Sequence, residues 1–106
     1  MYIEDSLIKA IQNQKMVEIV FRKETDQDWA EREVAPYDIY NKEDKDGNIR
    51  RTLLGYCWKH KDYKAAPIYV YLDTAHRVEI LGERFDGNEV KWLIKPKAPP
   101  NIPRNW

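Results

Sequence analysis

The chain has 106 residues and a mass of 12.7 kDa, with 18 basic and 18 acidic residues and a formal net charge of zero. A chain of this length supports one hydrophobic core, and its neutrality excludes a general electrostatic attraction to nucleic acid or to an anionic membrane. The sequence contains one cysteine, no secretory signal and no apolar run of about 18 residues, so we expect a soluble cytoplasmic protein without membrane contact.

The first part of the chain predicts a helix and two strands. Apolar residues recur with the period of an amphipathic helix at Ile3, Leu7, Ile8 and Ile11. This helix is expected to reach about Gln14, after which the apolar period changes to two over residues 16–22 and predicts a strand with one buried face. A second extended segment over residues 29–40 contains Pro36, which cannot donate to a ladder. This strand is therefore predicted to lie at an edge or to carry a bulge at the proline.

The middle of the chain predicts a hairpin and two more strands. Asp46-Gly47 favours a tight reversal before a third, strongly apolar strand over residues 49–58. The fourth strand, residues 67–72, alternates an aliphatic set with two tyrosines. We expect the aliphatic set to face the core, which leaves Tyr69 and Tyr71 on the other face.

The last part of the chain predicts a short fifth strand over residues 77–81 and a second turn at Asp86-Gly87-Asn88. Val90, Trp92 and Ile94 then alternate with other residues, as in a sixth strand. One helix followed by five or six short strands indicates a mainly β fold, a small and strongly bent five- to six-stranded barrel with an N-terminal helix.

The order of these landmarks resembles that of the WYL domain family. The matching segments are Ala10-Ile11, Val17-Glu18-Ile19-Val20-Phe21, Val34-Ala35-Pro36-Tyr37, Leu53-Leu54-Gly55-Tyr56-Cys57, Leu72-Asp73 and the spaced Val78, Leu81 and Phe85. The resemblance covers about residues 5–86 and implies a bacterial, Sm-like small barrel with a regulatory, ligand-sensing role. The family typically follows a DNA-binding domain or accompanies nucleic-acid enzymes, and its proposed ligands are nucleotides and single-stranded nucleic acid.

The sequence departs from the family pattern at the positions that make the family's ligand pocket polar and positive. The Trp-Tyr-Leu triplet that names the family falls on Arg51, Thr52 and Leu53. The basic residue before the Leu-Asp pair falls on Tyr71, and the arginine after that pair falls on Thr74. What the chain shares with the family is mostly the set of residues that builds the barrel, and the binding positions are the changed ones.

The binding hypothesis depends on tyrosines beside arginines, a combination suited to stacking on bases and pairing with phosphates. The candidate residues are Arg50, Arg51, Tyr56, Tyr69, Tyr71 and Arg77. The hypothesis requires Arg51, Tyr71 and Arg77 to converge on one concave patch. Its alternative is a partly solvated sheet face on which the tyrosines pack against each other.

No catalytic or metal-binding pattern is found in the sequence, so we predict a non-enzyme without a cofactor. His60 and His76 are the only histidines, and neither has a Cys or His at the spacing of metal ligands. The four glycines do not cluster into a phosphate-binding loop, and Ser6 is the only serine. Asp73 is expected to end a strand and to accept backbone hydrogen bonds rather than to act as a general base.

We predict one domain over residues 1–95 and a Pro-rich extended tail over residues 96–106. The tail is either disordered or an extended segment that docks on the domain or on a protein partner. The leading functional hypothesis is a regulatory module that senses a nucleic acid, a nucleotide or another anionic ligand. The alternative is a protein-interaction module that uses the tail or a strand edge, and four spread tryptophans also allow a homodimer.

Overall fold

The fold comes from a computed structural model that describes residues 2–22, 28–58 and 64–106. The chain order of the elements is α1 (Tyr2–Gln12), β1 (Lys15–Arg22), β2 (Trp29–Glu43), β3 (Ile49–Cys57), β4 (Ala66–Tyr71), a short 3-10 helix (Leu72–Thr74), β5 (Ala75–Arg84) and α2 (Gly87–Ile94). The helix, the hairpin and the five strands predicted up to β5 are therefore present.

A single antiparallel sheet contains the five strands in the order β4-β3-β2-β1-β5. The first part of the long strand β2 pairs with β1 up to Val34, and its second part pairs with β3 from Ala35 onward. The register with β3 shifts between Pro36 and Asp38, next to the residue that lacks an N–H. The predicted bulge at Pro36 is therefore confirmed, and it lies where β2 changes partners.

The predicted mainly β class is confirmed, whereas closure into a barrel is not. The described part of β4 pairs with β3 alone and that of β5 with β1 alone, so the sheet is open between these two strands. An antiparallel hairpin can join β2 to β3 with few residues, and here the reversal uses Gly47 at φ 84° as the Asp46-Gly47 pair predicts.

Two hydrophobic clusters form the core, one on each side of the bent sheet. The first lies under α1 and contains Leu7, Ala10, Ile11, Val17, Ile19, Val34, Ile39, Leu53, Cys57, Val70, Leu72 and Ile102. The second contains Ala35, Tyr37, Tyr56, Phe85 and Val90. Val70 and Leu72 are buried while Tyr69 is 52% exposed, which confirms the predicted facing of the fourth strand.

The predicted sixth strand is wrong, because residues 87–94 form the helix α2. The carboxylate of Asp86 accepts hydrogen bonds from the backbone N–H groups of Asn88 at 2.9 Å and Glu89 at 3.4 Å, so this residue is an N-cap and not part of a β-turn. In a helix Val90 faces the core and Trp92 points to solvent, 70% exposed. Within the described residues, no helix has the length and apolar character needed to cross a membrane.

The C-terminal residues 96–106 pack against the domain, so the prediction of a disordered tail is wrong. Asp38, 5% exposed, accepts hydrogen bonds from the backbone N–H groups of Asn101 at 3.0 Å and Ile102 at 2.9 Å. The Arg104 guanidinium lies 3.4 Å from the same carboxylate and between two aromatic rings, 4.7 Å from that of Tyr37 and 4.4 Å from that of Trp106. The tail docks without forming a strand, because side chains and not a ladder hold it.

Candidate ligand-binding site

The alternation of β3 separates the two adjacent arginines that the sequence placed in one site. Arg50 pairs across the sheet with Lys42, whereas Arg51 pairs with Asn41. Because neighbouring residues of a strand point to opposite faces, Arg51 lies on the α1 face with Leu53 and Arg50 lies on the other face. The two guanidinium groups therefore cannot act on one ligand from one face of the sheet.

The face that carries Arg50 collects tyrosines from two strands. Tyr71 of β4 and Tyr40 of β2 both lie opposite Thr52, one on each side of β3, and Tyr69 lies opposite Leu54. We call this the tyrosine face, and its members are Tyr40, Lys42, Arg50, Tyr69 and Tyr71. Cross-strand neighbours on one face lie about 4.5–5.5 Å apart at Cβ, but β3 separates Tyr40 from the two tyrosines of β4, so the three side chains share one face without being direct neighbours across strands.

Two cations of the tyrosine face cover its rings. The Lys42 ammonium lies 4.2 Å from the centroid of the Tyr69 ring, and the Arg50 guanidinium lies 3.7 Å from that of Tyr71. Arg50 also contacts the Asp73 carboxylate at 2.6 Å and that of Asp44 at 3.8 Å. Its charge is therefore balanced by two carboxylates, and Lys42 is the cation of this face that lies beside the exposed tyrosine.

A groove of about 390 Å³ opens between the tyrosine face and the start of the C-terminal tail. Its lining residues are Tyr37, Asp38, Tyr40, Leu54, Tyr69, Ile94, Lys95, Pro96, Lys97, Ala98, Pro99 and Asn101. Lys95 and Lys97 are both exposed, whereas the one carboxylate of the lining, Asp38, is buried and engaged by the tail. The groove thus has an aromatic wall and a positive rim.

Tyr40 is partly buried on the tyrosine face. Desolvation raises the pKa of the Tyr40 hydroxyl above its ordinary value, and the proximity of Tyr69, Asp38 and Tyr71 adds to the rise. The hydroxyl is neutral at physiological pH and can donate a hydrogen bond to an anion. Tyr40 and Tyr69 together offer a ring to stack on and a donor beside it.

The predicted convergence of Arg51, Tyr71 and Arg77 is not found. The Arg51 guanidinium donates to the Glu4 carboxylate of α1, at 3.1 Å from Nε and 3.0 Å from Nη2. Arg77 lies on β5 at the other edge of the sheet, where its Nη2 is 3.4 Å from the Glu18 carboxylate. Each of these arginines is paired with an acidic residue away from the tyrosines.

Tyr56 belongs to the core and not to a binding surface. It is 8% exposed and packs edge to face against Trp58 with ring centroids 5.2 Å apart. Of the six predicted residues the structure therefore brings together three: Arg50, Tyr69 and Tyr71.

Asp73 and the histidines complete the list of candidate chemical groups. The Asp73 side chain is 65% exposed and accepts hydrogen bonds from the Arg50 guanidinium. Where the sequence predicted hydrogen bonds from backbone N–H groups, the structure shows an ion pair. His60 lies outside the described residues, and the ring of His76 lies 5.2 Å from that of Trp29. The described part of the chain has no group of three His, Cys, Asp or Glu side chains suited to hold a metal ion.

Tyr40 and Lys42 belong to the site although the sequence pattern does not indicate them. The pattern predicts a strand that ends at Tyr40, and the charged residues that follow predict a loop. The signal was present in the hairpin itself: counting back from the reversal at Gly47 pairs Lys42 with Arg50 and Tyr40 with Thr52, on the face that holds the other tyrosines.

Comparison with known proteins gives one family match. The family model described as WYL domain matches residues 3–66, more than half of the chain. The matched part runs from α1 to the beginning of β4, so Tyr40, Lys42 and Arg50 lie inside it and Tyr69 and Tyr71 outside it. A search of the curated proteins found no match.

Proposed function

Because this chain belongs to the WYL domain family, which is generally regulatory, we propose that it is a non-catalytic module that binds a ligand on the tyrosine face and modulates a partner in the bacterial cytoplasm. The proposed ligand combines a flat ring with a negative charge, as a nucleotide or a single-stranded nucleic acid does. The observation that carries this proposal is the position of Tyr69, 52% exposed beside a groove whose rim is basic.

The ligand's base stacks on the Tyr69 ring in this proposal. Lys42, which lies 4.2 Å from that ring in the ligand-free chain, moves from the ring to a phosphate when the base takes its place. Stacking on an aromatic side chain contributes about 1–3 kcal/mol per base in single-strand binders, without selecting a sequence. The rim lysines Lys95 and Lys97 then lie along the path of the following phosphates.

The bend of β2 supports a finer statement about the fold. Its two halves pair with different strands, and the chain changes direction at Pro36. We propose that this bent, open sheet is a variant of the Sm-like small barrel that the family resemblance implies, with the gap between β4 and β5 left unpaired.

The proposal is tested by titrating labelled single-stranded DNA, single-stranded RNA and nucleotides against the chain at two salt concentrations. Tyr69→Ala removes the stacking ring and is expected to weaken binding by about 5- to 150-fold, from the stacking energy and the tenfold change per 1.4 kcal/mol. Lys42→Ala removes one phosphate contact and is expected to lower the slope of log K against log salt by about one unit.

The matched control is Trp29→Ala, which removes another exposed ring beside a cation. Trp29 is 53% exposed, and the Arg22 guanidinium lies 4.9 Å from its ring, but it pairs with Arg22 of β1 and is not among the residues that line the groove. Binding should be unchanged in this variant. Absence of binding by the unsubstituted chain, or binding that does not weaken with salt, would contradict phosphate recognition.

A further inference from the structure

The two edges of the sheet differ in how they are protected. At one edge β5 carries four charged residues, Arg77, Glu79, Glu83 and Arg84, and its register with β1 shifts twice. At the other edge β4 has the sequence APIYVY, without a charge, and it pairs with β3 in an unbroken register of six residues. Charges, bulges and prolines are features that prevent edge strands from pairing with another chain, and of these β4 has only the proline, Pro67.

Pro67 shows which main-chain groups of β4 face the open side. It lies opposite Tyr56 within the regular ladder, and a proline is placed in a sheet with its missing N–H directed away from the neighbouring strand. The alternation of the strand then directs the main-chain groups of Tyr69 and Tyr71 outward as well. The open edge thus offers the N–H groups of Tyr69 and Tyr71 and the carbonyl groups of Pro67 and Tyr69, since the Tyr71 carbonyl accepts from the Thr74 hydroxyl at 2.7 Å.

We propose that the β4 edges of two copies of this chain pair antiparallel about a two-fold axis at Tyr69. In a two-fold pairing, outward-facing residues must oppose outward-facing residues, which allows an axis at any of residues 67 to 71. An axis at residue 68 pairs Tyr71 with residue 65, which precedes β4, and an axis at residue 70 needs the Tyr71 carbonyl, which already accepts from the Thr74 hydroxyl at 2.7 Å. An axis at Pro67 lacks the central N–H groups, and an axis at Tyr71 extends into the 3-10 helix that follows. With the axis at Tyr69, the N–H of each Tyr69 donates to the Tyr69 carbonyl of the other copy, and each Tyr71 N–H donates to the Pro67 carbonyl of the other copy.

The charges that flank β4 suit the same register. Lys64 precedes the strand and Asp73 follows it, and both are exposed. With the axis at Tyr69, Asp73 of one copy lies opposite residue 65 of the other, next to Lys64. Each end of the paired strands therefore brings the flexible Lys64 side chain near an Asp73 carboxylate that also pairs with Arg50, and the uncharged middle is left to the ladder.

The pairing extends the tyrosine face across the axis. Tyr69 of one copy lies directly opposite Tyr69 of the other on one face of a continuous sheet, so two grooves with basic rims face the same side. The pairing itself does not depend on the proposed ligand, but a bound single strand that spans both copies does depend on the proposed function.

Cross-linking of Tyr69→Cys tests the register. Residues in directly opposed hydrogen-bonded pairs have Cα atoms about 5.5 Å apart, within the range of a disulfide, so oxidation should give a covalent dimer that thiol reduces. Trp92→Cys is the matched control, since Trp92 is 70% exposed but lies on α2. The native Cys57 is buried and adds no background.

A charge reversal at Lys64 tests the pairing without altering the tyrosine face. Lys64→Glu should weaken self-association measured by sedimentation, and Lys64→Arg, which keeps the charge, should leave it unchanged. A chain that sediments as a monomer at its highest soluble concentration, or equal cross-linking of Tyr69→Cys and Trp92→Cys, would overturn the proposal. Ligand titration of the Lys64→Glu variant keeps the two proposals separate, because binding by a monomer leaves the proposed function standing.

Discussion

The Arg51 guanidinium and the Glu4 carboxylate form a two-pronged ion pair that joins β3 to α1, with Nε at 3.1 Å and Nη2 at 3.0 Å from the two carboxylate oxygens. Arg51 occupies the position at which the family pattern has a tryptophan. A side chain that is expected to point at a ligand instead holds the helix over the first core cluster. At this position, the arginine therefore contributes to the packing of α1 and not to ligand binding.

Glu4→Gln is expected to lower the free energy of unfolding by about 0.5–1 kcal/mol at pH 7, a modest value because the pair is partly exposed. The hydrogen bonds from Arg51 lower the pKa of Glu4 below its ordinary 4.5. The stabilisation is therefore present above pH 4.5 and is lost as the pH falls through the lower folded-state pKa. Denaturant unfolding at several pH values should show that the free energies of unfolding of Glu4→Gln and of the unsubstituted chain become equal in acid. Asp5→Asn removes a charge from the same helix turn but leaves the Glu4–Arg51 contact in place, and it is the matched control.

Asp38→Ala is expected to destabilise the fold by about 3–5 kcal/mol, because the Arg104 side chain, 2% exposed, loses its charge partner in the interior. The buried position already lowers the pKa of Arg104. Combining Asp38→Ala with Arg104→Met removes both charges and should cost less than the sum of the single substitutions, measured by denaturant unfolding. Full additivity would contradict the pairing of these two residues.

Gly55→Ala and Gly82→Ala are expected to differ although both lie in strands. A Cβ at Gly55 would clash with Cγ1 of Val34 and lie 2.8 Å from the Ala35 carbonyl oxygen, whereas a Cβ at Gly82 meets no atom within 4 Å. Overpacking of this kind costs about 1–3 kcal/mol, so Gly55→Ala should lower the midpoint of thermal unfolding. Gly82→Ala should leave the midpoint unchanged or raise it slightly. Equal effects of the two variants would refute the close approach of β3 to β2.

Trp106→Ala is expected to destabilise the domain by about 3 kcal/mol, the low end for a core tryptophan because the ring is only partly buried. Its indole N–H donates to the Ile11 carbonyl at 2.8 Å, and its ring packs edge to face on Phe85 with centroids 5.4 Å apart. Trp92→Ala, at a 70% exposed position, should change stability by less than about 0.5 kcal/mol. The midpoints of thermal unfolding of the two variants measure the difference between the two rings. If Trp106→Ala lowered the midpoint as little as Trp92→Ala, the tail would be detached from the domain in solution.

The candidate site could be predicted only in part, and Arg50 and Arg51 show why. Alternation says that neighbours on a strand point to opposite faces, but it does not say which face is occupied by the helix and which remains open. The binding hypothesis requires both arginines in one site, but alternation places them on opposite faces, and only the position of α1 shows that the face of Arg51 is the covered one. Tyr40 was missed for the opposite reason, since its contribution depends on the hairpin register that places it across β3 from Tyr71.

Periodicity in the sequence was sufficient to determine the helix α1, the strands up to β5, the reversal at Gly47 and the inward facing of Val70. These features depend on residues close together in the chain, where backbone geometry links spacing to structure. The tertiary structure decided the rest. Residues 87–94 alternate like a strand, yet the Asp86 cap and the burial of Val90 make them a helix, because the open sheet leaves an apolar surface there for a helix to cover. The Pro-rich tail is ordered for a similar reason. Asp38, which precedes Asn101 by 63 residues and is buried, needs hydrogen-bond donors, and residues of the tail supply them.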